Sequence, residues 1–258
     1  MKLISLNIWG GKVYRPLMEF LKMQSRDADI FCFQEVFRSS SGVAESRGAR
    51  VNIFGELADL LADFRGYFAA EQKGFDLDGP CDFDIANGQA SFIKKSHPAR
   101  TEGSIFVYLK KNQGKDTENL PQNFHYLRFT AGSKKFTVMN LHGIAHPGSK
   151  LDTPDRIEQS RRIVDFLEKE KGAKILCGDF NLMPETESIA MIERAGMENL
   201  IKTHRIPETR GRLSPFYGKP GYLPFADYVF VSPEVEVAAF RSFDVGVSDH
   251  LPLCLEFQ

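Results

Sequence analysis

The chain has almost no excess charge of either sign. Its 33 Lys and Arg stand against 34 Asp and Glu, a formal net charge of −1. That removes the basic footprint of a protein that grips nucleic acid through its phosphates alone. It still leaves room for an enzyme acting on such a polymer, because a bound metal ion supplies positive charge locally. Cysteine is also sparse, at Cys32, Cys81, Cys177 and Cys254, with no CxxC and no Cys/His zinc spacing. Three of the four sit in apolar, strand-like runs and read as reduced core residues, and Cys81 reads as a free thiol in a loop. No apolar run approaches the ~20 residues of a membrane span. The N-terminus runs straight into the apolar Leu3-Ile4-Ser5-Leu6 with no signal-peptide pattern. A cytoplasmic protein without stable membrane anchoring is expected, acting as a monomer. Internal repeats, low-complexity tracts and linkers are missing as well, so one domain over residues 1–258 is expected. Its 42% hydrophobic and 26% charged residues are ordinary for a globular fold.

What is present alternates between strands and helices. Residues 2–9 read as a strand, and Tyr14, Leu17, Met18 and Leu21 repeat at helical spacing over 12–25. Ile30-Phe31-Cys32-Phe33 reads as a buried strand ending at Glu35. A strand–helix–strand unit makes its two strands parallel, so Asn7 and Glu35 end at one edge of a sheet. A helix is expected over 51–64, a strand near 67–70, and strands near 88–95, 103–110, 123–131 and 134–142. Thr153 and Pro154 open the strongest helix signal, over 154–170. That helix carries the chain from His142 to a strand at 174–178. A helix follows over 185–195, then a long loop over 202–225, then strands near 227–231, 235–241 and 252–257.

The sharpest motif is Gly178-Asp179-Phe180-Asn181, where a carboxylate and an amide follow a buried strand two residues apart. Alone, that is also what a strand ending in an Asx turn looks like. Strand direction gives it company. Asn7, Glu35, His142, Asp179, Asp227 and the pair Asp249-His250 fall at the end of a strand arriving at one rim or the start of one leaving it. Random polar residues would scatter over both edges. The same logic brings Asn87 and the loops 72–86, 111–122 and 202–225 to that rim.

Asn7 in Leu6-Asn7-Ile8-Trp9, Glu35 in Gln34-Glu35-Val36, His142 in Asn140-Leu141-His142-Gly143, the Gly178–Asn181 motif, Asp227, and Ser248-Asp249-His250-Leu251-Pro252-Leu253 occur in an informative order. In that order they resemble the endonuclease/exonuclease/phosphatase family, metal-dependent phosphoesterases with the deoxyribonuclease I-like fold. The resemblance runs from Asn7 to His250. It implies an α/β (α+β) four-layer αββα sandwich, with two mixed β-sheets packed face to face and helices outside. His142 separates this chain from branches without a histidine there, such as the abasic-site endonucleases. Phe225-Ala226-Asp227-Tyr228 departs from the motif of inositol polyphosphate phosphatases, and Asn7-Ile8-Trp9-Gly10 looks somewhat sphingomyelinase-like.

Phosphoester cleavage needs an oxygen-loving ion, an aimed water, stabilised charge on phosphorus and a protonated leaving group. Magnesium keeps several waters and is satisfied by one or two carboxylates. Glu35 leads as ligand for Mg²⁺ or Mn²⁺, with Asn7 and Asp249 assisting. Asp179 is expected to align and deprotonate the water, and Asn181 to hold that water or a phosphoryl oxygen. His142 is expected as acid, and His250, held by Asp227, as donor to a phosphoryl oxygen. Asn87, Arg210 and Arg212 are candidates for substrate binding. In 202–225, arginines interleave with Phe216, Tyr217 and Tyr222, which reads equally as a phosphate-and-ring surface or as a loop packed on itself. His142 and His146 are four apart, but Gly143 and Pro147 break the helix a two-histidine zinc face would need. Arg38, Arg47 and Arg50 read as solvated, and so does the acidic stretch 76–84, which lacks the EF-hand spacing. The expected activity is a phosphodiesterase with a phosphoester substrate, nucleic acid favoured. A phosphomonoesterase or lipid phosphodiesterase, and a non-catalytic binding module, are the alternatives.

Overall fold

The computed structural model describes residues 1–109 and 121–258. In chain order the elements are β1 (Lys2–Asn7), α1 (Tyr14–Gln24), β2 (Ile30–Arg38), β3 (Glu45–Ser46), β4 (Ala49–Arg50), α2 (Ile53–Leu60) and β5 (Phe64–Lys73). Next come β6 (Phe75–Asp76), β7 (Gly79–Pro80), β8 (Ala86–Lys94), β9 (Thr101–Tyr108), β10 (Gln122–Ala131) and β11 (Lys134–His142). The chain continues through α3 (Pro154–Leu167), β12 (Ala173–Asp179), α4 (Glu187–Arg194), β13 (Glu198–Asn199), α5 (Leu200–Thr203), β14 (Asp227–Val231), β15 (Val237–Ser242) and β16 (Leu253–Phe257). The expected loop 111–122 falls almost wholly outside the described residues.

Two six-stranded sheets carry the fold. The first runs β15-β16-β1-β2-β8-β5, and the second runs β13-β14-β12-β11-β10-β9. Each contains one parallel pair, β1 with β2 and β11 with β12, joined through α1 and α3 as the strand–helix–strand reading requires. The strands alternate as two-sided sheets must. From the first sheet, Leu3, Ile30, Cys32 and Ile93 face the second and join one core with Val138, Ile175 and Val229. Ile4, Leu6, Phe31 and Phe33 point the other way and pack under Leu17, Leu21, Ile53 and Leu57 of α1 and α2. Ile163, Phe166, Ile189 and Ile192 bring α3 and α4 onto the outer face of the second sheet. The helix α3 begins as its sequence demands, with the Thr153 hydroxyl accepting from Arg156 N and Pro154 at its first position.

The layer between the sheets turns polar at one end. Gln34 donates to Asn140 Oδ1 at 2.6 Å, and Asn140 Nδ2 donates to the Phe33 and Ala90 carbonyls at 3.1 Å. Gln89 Nε2 reaches Asn123 Oδ1 at 2.7 Å. Buried amides without partners would cost several kcal/mol, roughly 1–3 each, so these bonds key one sheet to the other. The polar end is the rim inferred from strand direction. No helix among the described residues is long and apolar enough to cross a membrane.

Candidate active site

Strand register places the catalytic candidates. His142 is the register partner of Asp179 across parallel β11 and β12, and Asp179 is the partner of Asp227 across antiparallel β12 and β14. Gly178 makes the first pairing possible: its φ is +131°, and a Cβ there would lie 2.0 Å from the Leu141 carbonyl oxygen. A side chain at this position would push β12 off β11 and separate His142 from Asp179.

Glu35 arrives differently from expected. The strand does not end there. It continues to Arg38, with a bulge between Phe33 and Val36 and Glu35 at φ +53°. Val36 and Phe37 are fully buried against the first sheet's outer cluster, which draws the chain back into pairing and leaves Glu35 turned to the cavity. Left-handed backbone outside glycine is uncommon. Among the described residues it occurs at Trp9, Glu35, Arg47, Lys150, Asn181 and Arg205. Four of these six, Trp9, Glu35, Lys150 and Asn181, line the cavity or the chamber beside it.

That cavity, about 320 Å³, lies at the rim and is lined by Glu35, Asn87, His142, Asp179, Asn181, Arg210, Asp249 and His250, with further residues around them. Asn7 closes it from below. Its Nδ2 donates to Glu35 Oε1 at 2.9 Å and to Asp179 Oδ2 at 3.1 Å, while its Oδ1 accepts from Trp9 N at 3.0 Å. Its oxygen is turned to the backbone, and its amide group joins the two carboxylates.

His250 Nδ1 donates to Asp227 Oδ2 at 2.8 Å, and Nε2 lies 3.7 Å from Asp179 Oδ2 and 3.9 Å from Asp249 Oδ2. Burial opposes its charge, but Asp227, Asp249 and Asp179 outweigh it and raise its pKa. His142 is held in the same way. Burial opposes, yet Glu71 at 3.4 Å from Nδ1, with Asp179 and Glu35, pushes the ring up to about 10. Its Nε2 lies 3.9 Å from Glu35 Oε1. Asp179 goes the other way: despite burial, His250, Lys150, His142 and Arg210 hold it down at about 2. Asn181 N donates to Asp179 Oδ1 at 2.9 Å, and Asn181 Nδ2 to the Gly143 carbonyl at 3.3 Å.

Arg210 and Arg212 part company. Arg210 forms a β-bridge with His250 and donates to Asp249 Oδ2 at 2.8 Å. Gly211 N then takes the Asp249 carbonyl, and the turn closed by Ser214 N on the Gly211 carbonyl carries Arg212 outward. The Arg212 side chain is 71% exposed and pairs with Asp244 at 3.3 Å, and it does not line the cavity. Asn87 does line the cavity, beside its cross-strand partner Gln72, and its buried Oδ1 has no hydrogen-bond partner among the described residues.

Several cavity residues carried no signal in the sequence. Glu71 is one acid in an ordinary strand; a bulge between Ala70 and Gln72 sets it toward His142. Gln122, with its amide nitrogen facing them, donates to the His142 carbonyl at 2.8 Å and to Glu71 Oε1 at 3.3 Å. His146 lines the cavity from an irregular loop, where helical spacing was not the relevant geometry. Asp76 is not solvated either: it is buried at the cavity wall and ion-paired to Arg47 at 2.7 Å. Arg50 is held by Glu56 and Arg38 lies over Phe54, both away from the cavity. His204 packs edge-on against Phe240.

Among the described residues, two places could hold a cation. Asp179, Asp227 and His250 bring ligand atoms within 4.8 Å of one another, all buried. Charge argues against a metal there, since His250 Nδ1 is bonded to Asp227 and the surrounding carboxylates favour the protonated ring, which has no lone pair to give. Glu35 with Asp249 fits better. Burial raises the Glu35 carboxyl pKa and the charge of Asp249 raises it further. A divalent ion held by both would remove each penalty, and an all-oxygen donor set suits magnesium or manganese.

The endonuclease/exonuclease/phosphatase family model matches residues 4–250. The chain belongs to the endonuclease/exonuclease/phosphatase family. Members of this family are hydrolytic phosphoesterases, generally dependent on a divalent metal. No curated protein matches in sequence. Solved structures share the fold at low identity. A family protein from Leptotrichia buccalis superposes with a TM-score of 0.75 at 14% identity, covering 100% of this chain and 99% of that one. The mannosyl-6-phosphatase Bt3783 of Bacteroides thetaiotaomicron gives 0.68 at 17%, covering 100% and 99%. The human nocturnin catalytic domain, solved with a bound sulfate, gives 0.68 at 18%, covering 100% and 93%.

Proposed function

We propose that this family member is a Mg²⁺- or Mn²⁺-dependent phosphodiesterase that hydrolyses its ester by direct attack of an activated water, with a nucleic-acid-like diester as the favoured substrate. The observation that carries the reading is Asp179, held ionised between His142, charged at neutral pH, and His250, whose protonated form its carboxylate neighbours favour. Glu35 and Asp249 would hold the ion, which when bound polarises a phosphoryl oxygen and offsets its charge. Asp179, at about 2, is a weak base, so it aligns the water and accepts its proton late, as the new P–O bond forms. Asn181 holds the water or a phosphoryl oxygen. His250, fixed by Asp227, donates to a phosphoryl oxygen, where fixed donors act on developing charge. His142, already protonated at neutral pH, gives its proton to the departing oxygen. Arg210 and Asn87 lie where the substrate would pass.

A second reading, a phosphomonoesterase, is favoured by two histidines whose pKa values are raised and Arg210 around one cavity, which also suit a dianion. A screen separates the two: bis(p-nitrophenyl) phosphate, p-nitrophenyl phosphate, single- and double-stranded DNA, RNA and sphingomyelin, each with Mg²⁺, Mn²⁺ or chelator. Diester turnover that vanishes in chelator and in Glu35→Gln is the expected result. Full diester turnover in chelator overturns the mechanism, and turnover of the monoester alone replaces it with the second reading.

A further inference from the structure

A second chamber, about 380 Å³, opens beside the catalytic cavity. The two share Ala145, Asn181 and Arg210 as a common wall. Their chemistry is opposite. The catalytic cavity is rich in carboxylates, whereas the residues lining the second chamber include none. Its charged residues are Lys150 and Arg210, and the rest of its wall is formed chiefly by Phe216, Tyr222 and Leu223 with small residues.

Lys150 is unusual in this setting. It is 8% exposed, adopts φ +55°, and its Nζ has no hydrogen-bond partner among the described residues. Burial lowers its pKa, and Asp179, Asp227 and Asp249 favour the ammonium from a distance without bonding it, so an anionic acceptor entering the chamber would stabilise it further. The loop holding it is built firmly. Arg156, fully buried, donates to the carbonyls of Ile144, Ala145, Pro147 and Leu151 at 2.6–3.2 Å, on both sides of Lys150. The Lys150 carbonyl is tied to the scaffold as well, accepting from Met183 N at 2.9 Å. So the cation is fixed beneath the chamber and acts across a low-dielectric floor.

The aromatic wall is fixed at one point and open at another. Tyr222 Oη donates to the Arg210 carbonyl at 2.9 Å, and its ring meets Tyr217 edge-on at 5.2 Å. Phe216 is 65% exposed at the mouth, a large apolar ring that burial within the fold does not explain. Exposed aromatics beside a cation-only chamber offer a face for a ring and a field for the phosphate attached to it.

We propose that this chamber receives the ester arm of the substrate, and that the arm is a ring-bearing group whose phosphate lies at the shared wall over Lys150 and Arg210. The inference rests on the phosphoesterase reading above and names its substrate class: phosphate esters carrying a planar ring. Such rings come from nucleotides or from simple aryl phosphates.

Equilibrium binding to the whole chain in chelator tests it without turnover. The probes are AMP, phenyl phosphate, glycerol 3-phosphate and inorganic phosphate. Both or either of the ringed esters should bind at least tenfold more tightly than glycerol 3-phosphate. AMP ahead of phenyl phosphate assigns the ring to a nucleoside, and the reverse order to an aryl group. Phe216→Ala, at an exposed site where folding is not at stake, should erase that advantage and leave inorganic phosphate binding unchanged. Lys150→Met, if its thermal melt is cooperative, should weaken every phosphate probe alike. Equal binding of ringed and ringless esters by the unsubstituted protein overturns the proposal, and so does an undiminished ring preference in Phe216→Ala. Ring-selective binding without diester turnover would remove the phosphodiesterase reading and leave the chamber standing. Diester turnover without ring preference would do the converse.

Discussion

A single amide nitrogen joins the two sheets at the reaction centre: Asn7 Nδ2 donates to Glu35 on the first and to Asp179 on the second, at 2.9 and 3.1 Å. Asn7 is itself fully buried. Two carboxylates that would repel are held at a set separation by one donor. Asn7→Ala should therefore lower metal affinity, since groups that orient ligands typically contribute about 10–100-fold. A metal titration of activity checks this. Raised metal should recover most of the rate, and an unmoved metal requirement would assign Asn7 to the fold alone.

His142 should matter in proportion to how poor the leaving group is. General acid catalysis contributes roughly 10²–10⁴-fold where a proton must be supplied. His142→Ala should lose that much on an alkyl or sugar ester and far less on a nitrophenyl diester. Asp179→Asn should lose on both, because water must be aligned whatever departs. Equal losses for His142→Ala on the two substrates would recast it as a phosphate-stabilising group.

The same two groups give stability opposite pH dependences. The Asp179 pKa is depressed to about 2, so its contribution is present above the unfolded value of about 3.9 and is lost as pH falls toward 2. The His142 pKa is raised to about 10, so its contribution is complete below an unfolded value of about 6.5 and is lost as pH rises toward 10. Melting temperature should fall at both ends. Asp179→Asn should flatten the acid limb and His142→Gln the alkaline limb, each leaving the other in place.

Arg210 and Arg212, two positions apart, should behave as unrelated residues. Arg210 is paired with buried Asp249, and removing it strands that carboxylate, at a cost on the order of 3 kcal/mol. Arg210→Ala should melt early and turn over poorly. Arg212 is an exposed pair with Asp244, and Arg212→Ala should match the parent protein in melting and in kcat/KM. A substrate-specific loss in Arg212→Ala would return it to the site.

The sequence made the scaffold legible because its signals are local. Apolar strands, the Thr153-Pro154 start of α3 and the direction of each crossover were enough to bring His142, Asp179 and Asp227 to one rim, where strand register then pairs them. The residues that escaped notice depend on irregular backbone. Glu71 is delivered by a bulge, Lys150 by a left-handed residue in a loop that Arg156 pins, and His146 by the same loop. Arg212 misled because alternation was not available to judge it: outside a strand, two-residue spacing does not give a shared face. For Asn7 the rim position was legible but the orientation was not, since a backbone amide two residues on turns its side-chain oxygen away from the carboxylates.

Sheet order also bears on how the protein comes into being. The strand β16 follows every other strand in the chain, yet it lies inside the first sheet, between β15 and β1. Asp249 and His250 lie upstream of its start, with Leu251 and Pro252 between. During synthesis β1 must wait with one edge unpaired until β16 is delivered, and an unpaired edge invites association with other chains. The nascent chain thus acquires its last catalytic side chains and the closure of its first sheet in one late step. A ribosome-tethered chain stopped before Leu253 should be open to protease along β1 and without hydrolytic activity, even with every residue from Asn7 to His250 already made.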